Sequence, residues 1–455
     1  MLEQFGSSAV FALNTLEKSG FEAYLVGGSV RDYLMDIPLG DKDITTNATP
    51  EEVRGVFSGF RVIDTGFRHG TVTVLIDGEP IEITTYRTES KYGDNRHPDS
   101  VAFSKNFSDD VLRRDFTMNG IGISADGKIR DEVGGKQDIE NKIIRAIGVP
   151  EDRFSEDALR IMRAVRFASV LGFEIEKNTE NALFNKRNLL KNISAERKRD
   201  ELIKLINGKN AEKILLTYRE IIAQCIPEIQ CEFDFSQHNR HHIFDVYTHS
   251  VKALASAKDD ANIRMALLLH DIGKPSTAKY DEKGEMHFKC HAQKSFEISE
   301  KILTELRFSN AEKDEILTLI KYHDIPFMCE DMKTVSEKRV KRIVSKFGKD
   351  LSLKLLEVRR CDNLAQNPEY FLGNTFYSDC ERLICVLADG NECLTLKDLA
   401  VNGNDLLNLG FSGKKIGEVL YLLLENVLEG VLKNNKKELI AFAETLKNKK
   451  SNKKG

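Results

Sequence analysis

No run of apolar residues in this 455-residue chain approaches the roughly twenty that a membrane-spanning helix needs, so no membrane association is expected. The N-terminus, MLEQFGSSAVFALNTLEKSG, lacks a basic stretch followed by an apolar core, and no signal peptide is expected. Cysteine is missing from the first 220 residues. The eight that follow form no C-x-x-C pair, which argues against a disulfide framework and for reduced thiols in a cytoplasm. An excess of positive charge is missing too. Lys and Arg number 67 against 71 Asp and Glu, a net −4, so a nucleic-acid partner would depend on local basic patches. Internal repeats and low-complexity linkers are absent. The length exceeds what one hydrophobic core supports and suggests two to four domains. With 41% hydrophobic and 30% charged residues, the balance is that of a globular protein.

What is present changes in texture along the chain. The first 125 residues mix glycines with β-type runs: AYLV at 23–26, GTVTVLI at 70–76 and IEITTYR at 81–87. Asp77-Gly78 between the last two is a hairpin signal, because both residues tolerate positive φ. They define a head, placed at 1–149. From Pro150 the pattern becomes helical, with apolar positions every three to four residues, and gives a neck over 150–230. Residues 231–340 hold eight of the ten histidines and form a further helical domain. Residues 341–455 are a helical, Lys-rich tail in which Gly410, Gly413 and Gly417 punctuate two helices. The closing KNKKSNKKG is expected to be disordered. The fold class is therefore α+β, a small mixed-sheet head followed by all-α neck, histidine-rich domain and tail.

In the head, AYLV runs into Gly27-Gly28-Ser29 and a helix expected over 30–35. Glycines at a strand-to-helix turn let backbone N–H groups approach phosphate, although such turns are also common without a ligand. Asp41-Lys42-Asp43 precedes Ile44-Thr45-Thr46. On a strand, residues i and i+2 share a face, so Asp41 and Asp43 would stand as parallel carboxylates. Their repulsion makes them a poor stabilising device. Two divalent cations about 4 Å apart would remove it and create a site for in-line phosphoryl transfer. Glu82, on a neighbouring strand pattern, is either a third carboxylate that helps activate an attacking hydroxyl or a polar residue on the strand's wet face.

G-G-S-V-R-D (27–32), D-K-D (41–43), R-R-D-F-T-M-N (113–119) and F-S-E-D-A-L-R (154–160), in this order, resemble the successive motifs of class II tRNA nucleotidyltransferases. These are the CCA-adding enzymes of the polymerase-β-like nucleotidyltransferase superfamily. The resemblance implies that Asp41 and Asp43 hold Mg²⁺, that Gly28 and Arg31 contact a triphosphate, and that Arg114 binds the nucleotide. It also implies that Asp115 and Asn119 sense the ribose. Arg-Arg-Asp at a helix start is otherwise an ordinary ion-paired cap. Implied substrates and partners are CTP, ATP and tRNA, and the implied outcome is RNA repair without a nucleic-acid template.

Asp157, Arg160, Arg163 and Arg166 fall at helical spacings, which would place Asp157, Arg160 and Arg163 on one face. The bland account is a solvated helix with i,i+3 ion pairs. The sharper one rests on base chemistry. Cytosine and adenine both set an amino donor beside a ring-nitrogen acceptor, so a carboxylate and a guanidinium would accept both and refuse guanine and uracil. In the family resembled, the residues matching Asp157 and Arg160 do this. The polar segment ESKYGDNRHPDSVAFSKNF (89–107) is similar to the loop with which CCA-adding enzymes switch from C to A, and it implies full C-C-A addition.

His249, His270-Asp271, His291, His323 and Asp362 resemble the H…HD…D arrangement of the HD phosphohydrolase superfamily. Imidazole and carboxylate suit Mn²⁺, Co²⁺, Ni²⁺, Fe²⁺ or Mg²⁺ rather than a structural zinc site. His238, His241 and His242 would bind phosphate nearby or face solvent. The helices within 403–428 are similar to the tail that holds tRNA in these enzymes. Three other readings stay open: a bacterial poly(A) polymerase, which shares head and neck; an HD-type metal-dependent phosphohydrolase acting on RNA ends; and a silent RNA-binding scaffold. No oligomeric state is indicated.

Overall fold

The computed structural model describes residues 2–89, 101–331, 334–390 and 392–451. These form two compact units, 1–230 with 304–308 and 231–303 with 309–455. Among the described residues no helix is long and apolar enough to cross a membrane.

The head of the first unit is built on strands β1 (Ala23–Val26), β2 (Asp43–Thr46), β3 (Arg61–Gly66), β4 (Thr71–Ile76), β5 (Glu79–Thr85), β6 (Arg87–Glu89), β7 (Val101–Phe103), β8 (Ile121–Ile123) and β9 (Ile129–Asp131). Seven of them make one sheet in the order β3-β4-β5-β2-β1-β8-β9. Only β2 and β5 pair in parallel, so the sheet is mixed, as expected. Alternation sets its two faces. On β4, Val72, Val74 and Ile76 are buried, and on β5, Ile81, Ile83 and Thr85 are, which turns Glu82 outward. The hairpin between them turns at Asp77 and Gly78, whose φ values of 50° and 83° are those of a type I′ turn. Val26, Tyr86, Phe107, Val111 and Ile147 pack as one apolar cluster, with Tyr24 and Val133 against it.

One expectation needs correction here. Asp41 does not share a strand with Asp43, because β2 begins at Asp43 and Asp41 lies in the irregular stretch before it. Of the closing KNKKSNKKG, residues 452–455 lie outside the described residues, and helix Lys436–Ser451 reaches into its first half. Residues 90–100, the middle of the switching-loop candidate, lie outside the described residues. Its flanks β6 and β7 pair antiparallel, Arg87 opposite Phe103.

The neck of the first unit starts with helix Pro150–Glu156, which Pro150 opens at its first turn, and helix Leu159–Leu171. The break falls at Asp157, whose extended φ/ψ of −130°/102° ends the first helix. Asp157, Arg160 and Arg163 therefore do not share one helical face as the spacing suggested. Helix Ala195–Ile206 packs along Leu159–Leu171. The second unit is helical apart from a two-stranded ribbon, Lys279–Tyr280 with Met286–His287. A boundary at 340/341 falls inside helix Glu337–Leu364, which is kinked at Gly348 and carries Asp362.

The neck helices approach closely at Gly208, where a Cβ would stand 2.2 Å from Ser169 Oγ and 2.7 Å from the Ser169 carbonyl oxygen. Ser169 is fully buried and donates to the Leu205 carbonyl, so it has no room to yield. Gly208→Ala is expected to destabilise the first unit by roughly 1–3 kcal/mol. A thermal unfolding midpoint equal to that of the wild type would show that the backbone relaxes there instead.

Candidate functional site

A cleft of about 450 Å³ in the first unit gathers ten residues singled out from the sequence: Gly28, Arg31, Asp43, Arg114, Asp115, Asn119, Asp157, Arg160, Arg163 and Arg166. Gly27, Arg113 and Phe167 also line it. Six arginines against three aspartates make its wall cationic, as a receptor for a polyanion must be. Gly27 turns the chain from β1 into helix Gly28–Leu34 with φ +78°, a conformation that side-chain-bearing residues avoid. A Cβ there would lie in ordinary contact with Asp43 Oδ2 at 3.5 Å, so it is the φ that calls for glycine.

Buried carboxylates hold the arginines. Arg31 donates to Asn119 Oδ1 (3.1 Å), Asn119 Nδ2 to Asp115 Oδ1 (3.0 Å), and Arg163 Nε to Asp115 Oδ2 (2.8 Å). Burial pushes the Asp115 carboxyl up, but Arg163, the Asn119 amide and Arg160 outweigh it and hold it well below the usual range. Arg166 donates to Glu201 (2.8 Å) and lies 3.6 Å over the Phe167 ring. Arg113 and Arg114 both fork onto Asp110, fully buried, at 2.6 and 2.9 Å. Arg160 donates to Glu156 (2.9 Å) and to the Arg113 carbonyl (2.7 Å). Asp157 pairs with Arg197 (2.8 Å) rather than with Arg160.

Asp110, Glu201, Arg197 and Phe167 were not foreseen. Asp110 stands three and four residues before Arg113 and Arg114, a spacing that announces the pairing once a helix is assumed. The others carry no signal short of the fold.

Beside the cleft lies a group of carboxylates. Asp43 on β2 and Glu82 on β5 are register partners on parallel strands, so their side chains share a face. Asp41 and Glu82 are exposed, and neither lines the cleft; Asp43 alone belongs to both. Burial, then Glu82 and Asp41, raises the Asp43 pKa, with Arg114 opposing. Carboxylates crowded until one resists ionisation fit a hard divalent cation, which takes oxygen ligands and cancels the repulsion.

The second unit has its own cluster. His249, His270, Asp271, His323 and Asp362 are buried, and His291 is half-buried. Each Nδ1 faces a backbone carbonyl: His249 that of Ala365 (3.2 Å), His270 that of Leu267 (2.8 Å), His291 that of Phe288 (2.8 Å) and His323 that of Ile320 (2.7 Å). Protonation at Nδ1 in each ring leaves four Nε2 atoms turned inward as lone-pair donors. They converge on Asp271, Oδ2 lying 3.4 and 3.2 Å from His249 and His270, Oδ1 3.5 and 3.8 Å from His291 and His323. His270 Nε2 and both Asp271 oxygens are buried without a hydrogen bond of good geometry. Such a donor set fits a divalent metal ion. Three overlapping triads offer ligand atoms within 4.8 Å of one another: His249-His270-Asp362, His270-Asp271-His323 and His291-His323-Asp324, the last adding an unforeseen Asp324. A cavity of about 750 Å³ opens on this cluster and is lined also by Arg240, His241, His242, Lys274 and Arg359. His238 is not among its lining residues.

Comparison with known proteins follows the same division. Residues 23–145 match the model described as "Poly A polymerase head domain", 172–232 "Probable RNA and SrmB- binding site of polymerase A", and 286–443 "tRNA nucleotidyltransferase domain 2 putative". The chain is 54% identical to a CCA-adding enzyme of Lactobacillus helveticus over 205 residues, 45% of this chain and 51% of that one. It is 46% identical to that of Bacillus subtilis over 216 residues, 48% of this chain and 54% of the other. The chain thus spans about half the length of the curated relatives it matches. The structure of the Bacillus stearothermophilus CCA-adding enzyme in complex with CTP covers 100% of both chains, with 28% identity and a TM-score of 0.72. The Thermotoga maritima CCA-adding enzyme complexed with tRNA shares the fold at 19% identity, with a TM-score of 0.59 over 96% of this chain and 93% of that one.

The Asp115–Arg163 pair carries a pH signature. Its folded pKa is depressed, so its stabilisation is present above the unfolded aspartate value of about 3.9 and lost as pH falls toward the folded value. Asp115→Asn is expected to cost roughly 3 kcal/mol at neutral pH, and the deficit should shrink between about pH 5 and pH 2. Urea unfolding of both proteins across that range checks it; a pH-independent deficit would contradict the linkage.

Proposed function

We propose that this chain, a member of the class II tRNA nucleotidyltransferase family, adds C, C and A to the 3′ end of tRNA from CTP and ATP in the cytoplasm, releasing pyrophosphate and using no nucleic-acid template. The observation that carries this is the six-arginine cleft, which shares Asp43 with an outward-facing carboxylate group. Arg31, beside Gly28, and Arg114, beside Gly27, receive the triphosphate, and Asp115 with Asn119 receives the ribose. Asp157 and Arg160 read the base edge. Arg160 is 8% exposed and its donors go to Glu156 and to the Arg113 and Arg153 carbonyls, so base recognition draws on an arginine already engaged. Mg²⁺ held by Asp41 and Asp43 would supply neutralisation of the triphosphate and acidify the attacking 3′-hydroxyl. Glu82, the register partner of Asp43, would take the hydroxyl proton.

A second activity is favoured by one observation, the four Nε2 atoms aimed at Asp271 in the second unit. We propose a divalent ion there, Mn²⁺, Co²⁺, Ni²⁺ or Mg²⁺, that activates water toward a phosphate ester. Damaged tRNA ends carry terminal or cyclic phosphates, and removing them would expose the 3′-hydroxyl that nucleotide addition needs.

For the head, tRNA lacking its 3′ end should accept labelled CTP and then ATP. Asp43→Ala should lower both by more than a hundredfold while tRNA affinity holds. Addition of long A runs without C would instead identify a poly(A) polymerase, and near-wild-type transfer by the mutant would remove Asp43 from the chemistry.

For the second unit, Mn²⁺, Co²⁺ or Ni²⁺ should stimulate hydrolysis of a 2′,3′-cyclic nucleotide. His270→Ala should abolish it and leave CTP and ATP transfer within about twofold, as separate sites require. Absence of hydrolysis with all of these metals would leave the cluster a structural role only.

A further inference from the structure

Phe167 is unusual among the cleft residues in being apolar and still facing three cations. The guanidinium carbons of Arg166, Arg31 and Arg163 lie 3.6, 5.0 and 5.4 Å from its ring centroid. Arg31 comes from helix Gly28–Leu34 of the head, whereas the other two share helix Leu159–Leu171 with Phe167. Arg31 is tethered to Asp32 and Asn119, Arg163 to Asp115 and at 3.9 Å to Glu201, and Arg166 to Glu201, so no single carboxylate holds all three. The ring is the group that all three guanidinium groups lie against. Like charges gathered this closely repel, and an aromatic face attracts cations through its quadrupole within about 6 Å.

We infer that Phe167 is a positioning residue for the incoming nucleotide, gathering Arg31, Arg163 and Arg166 into one cationic array that meets the triphosphate. This rests on the nucleotidyltransferase reading of the cleft. The ring is not itself a platform for the base. It is 3% exposed, with Phe116 packed edge-on at 5.8 Å and 86° and Arg166 stacked on it, so no face is left for a nucleobase. Its effect on the nucleotide passes through the arginines.

The test compares Phe167→Leu, which keeps apolar bulk without a quadrupole, with Phe167→Tyr, which keeps the ring. Thermal unfolding verifies folding, and Phe167→Met replaces the leucine variant if that one does not fold. For Phe167→Leu, KM for CTP and for ATP and the calorimetric Kd for CTP are expected to rise together by about tenfold, with kcat within about twofold and tRNA affinity unchanged. Phe167→Tyr should lie within about twofold of wild type. A merely structural role would instead lower the unfolding midpoint and kcat while leaving KM and Kd in place. Wild-type KM and Kd in Phe167→Leu, or equal damage in Phe167→Tyr, would overturn the inference. If the wild type binds CTP without transferring it, the proposed function fails, and the Kd ratio alone still decides the role of Phe167.

Discussion

Asp110, Asp115 and Glu201 are buried under the cleft of the first unit, and each is joined to arginine: Asp110 to Arg113 and Arg114, Asp115 to Arg163, Glu201 to Arg166. A free arginine side chain has about 2 kcal/mol of rotamer entropy to lose when it grips an anion. Anchoring each guanidinium at one edge removes that loss before the ligand arrives, and so converts charge into geometry. The same anchoring prevents six cations from dispersing under their mutual repulsion. Since Arg31 and Asp115 belong to the head while Arg163 and Arg166 belong to the neck, the lattice also fixes these two parts of the first unit to each other.

The second unit meets the opposite problem, an assembly of lone pairs rather than of cations. There the anchors are backbone carbonyls at Leu267, Phe288, Ile320 and Ala365, which set one tautomer in all four histidines. Burial without a positive charge between His291 Nε2 and His323 Nε2, 3.1 Å apart, would bring two acceptors together. A proton on one ring relieves a single contact; a metal ion relieves the whole cluster. Lys274, at 2.7 Å from Asp271 and also bonded to Gln237, offsets only part of the negative charge.

Local elements were legible where local chemistry decides them. AYLV became β1 residue for residue, Asp77-Gly78 made its turn, and the order of motifs brought ten candidate residues to one cleft. The reading failed where spacing was asked to stand for direction. Asp41 and Asp43 were expected to align on a strand, but the chain enters β2 only at Asp43. Asp157 was expected on a helical face, yet it is the residue at which one helix ends and the next has not begun, and its partner Arg197 is 40 residues away. Contacts of that separation follow from packing of Leu159–Leu171 against Ala195–Ile206, which no local pattern encodes. Glu201 escaped notice for the same reason.

Gly27 and Asp43 are the seam between the two charge systems of the head. A Cβ at Gly27 would sit 3.5 Å from Asp43 Oδ2 and 3.9 Å from Arg114 Nη1, so this positive-φ glycine lies beside a carboxylate and a guanidinium at once. On one side the arginines make a cleft that attracts a polyanion. On the other, Asp43 is crowded by Glu82 and Asp41 until its own ionisation becomes harder, and only Arg114 eases it. A triphosphate alone would worsen the crowding on the acidic side, and cations alone would be repelled from the basic side. Each side therefore favours what the other lacks, and the pair is satisfied best by an anion and divalent cations arriving together. That coupled demand follows from where the charges stand.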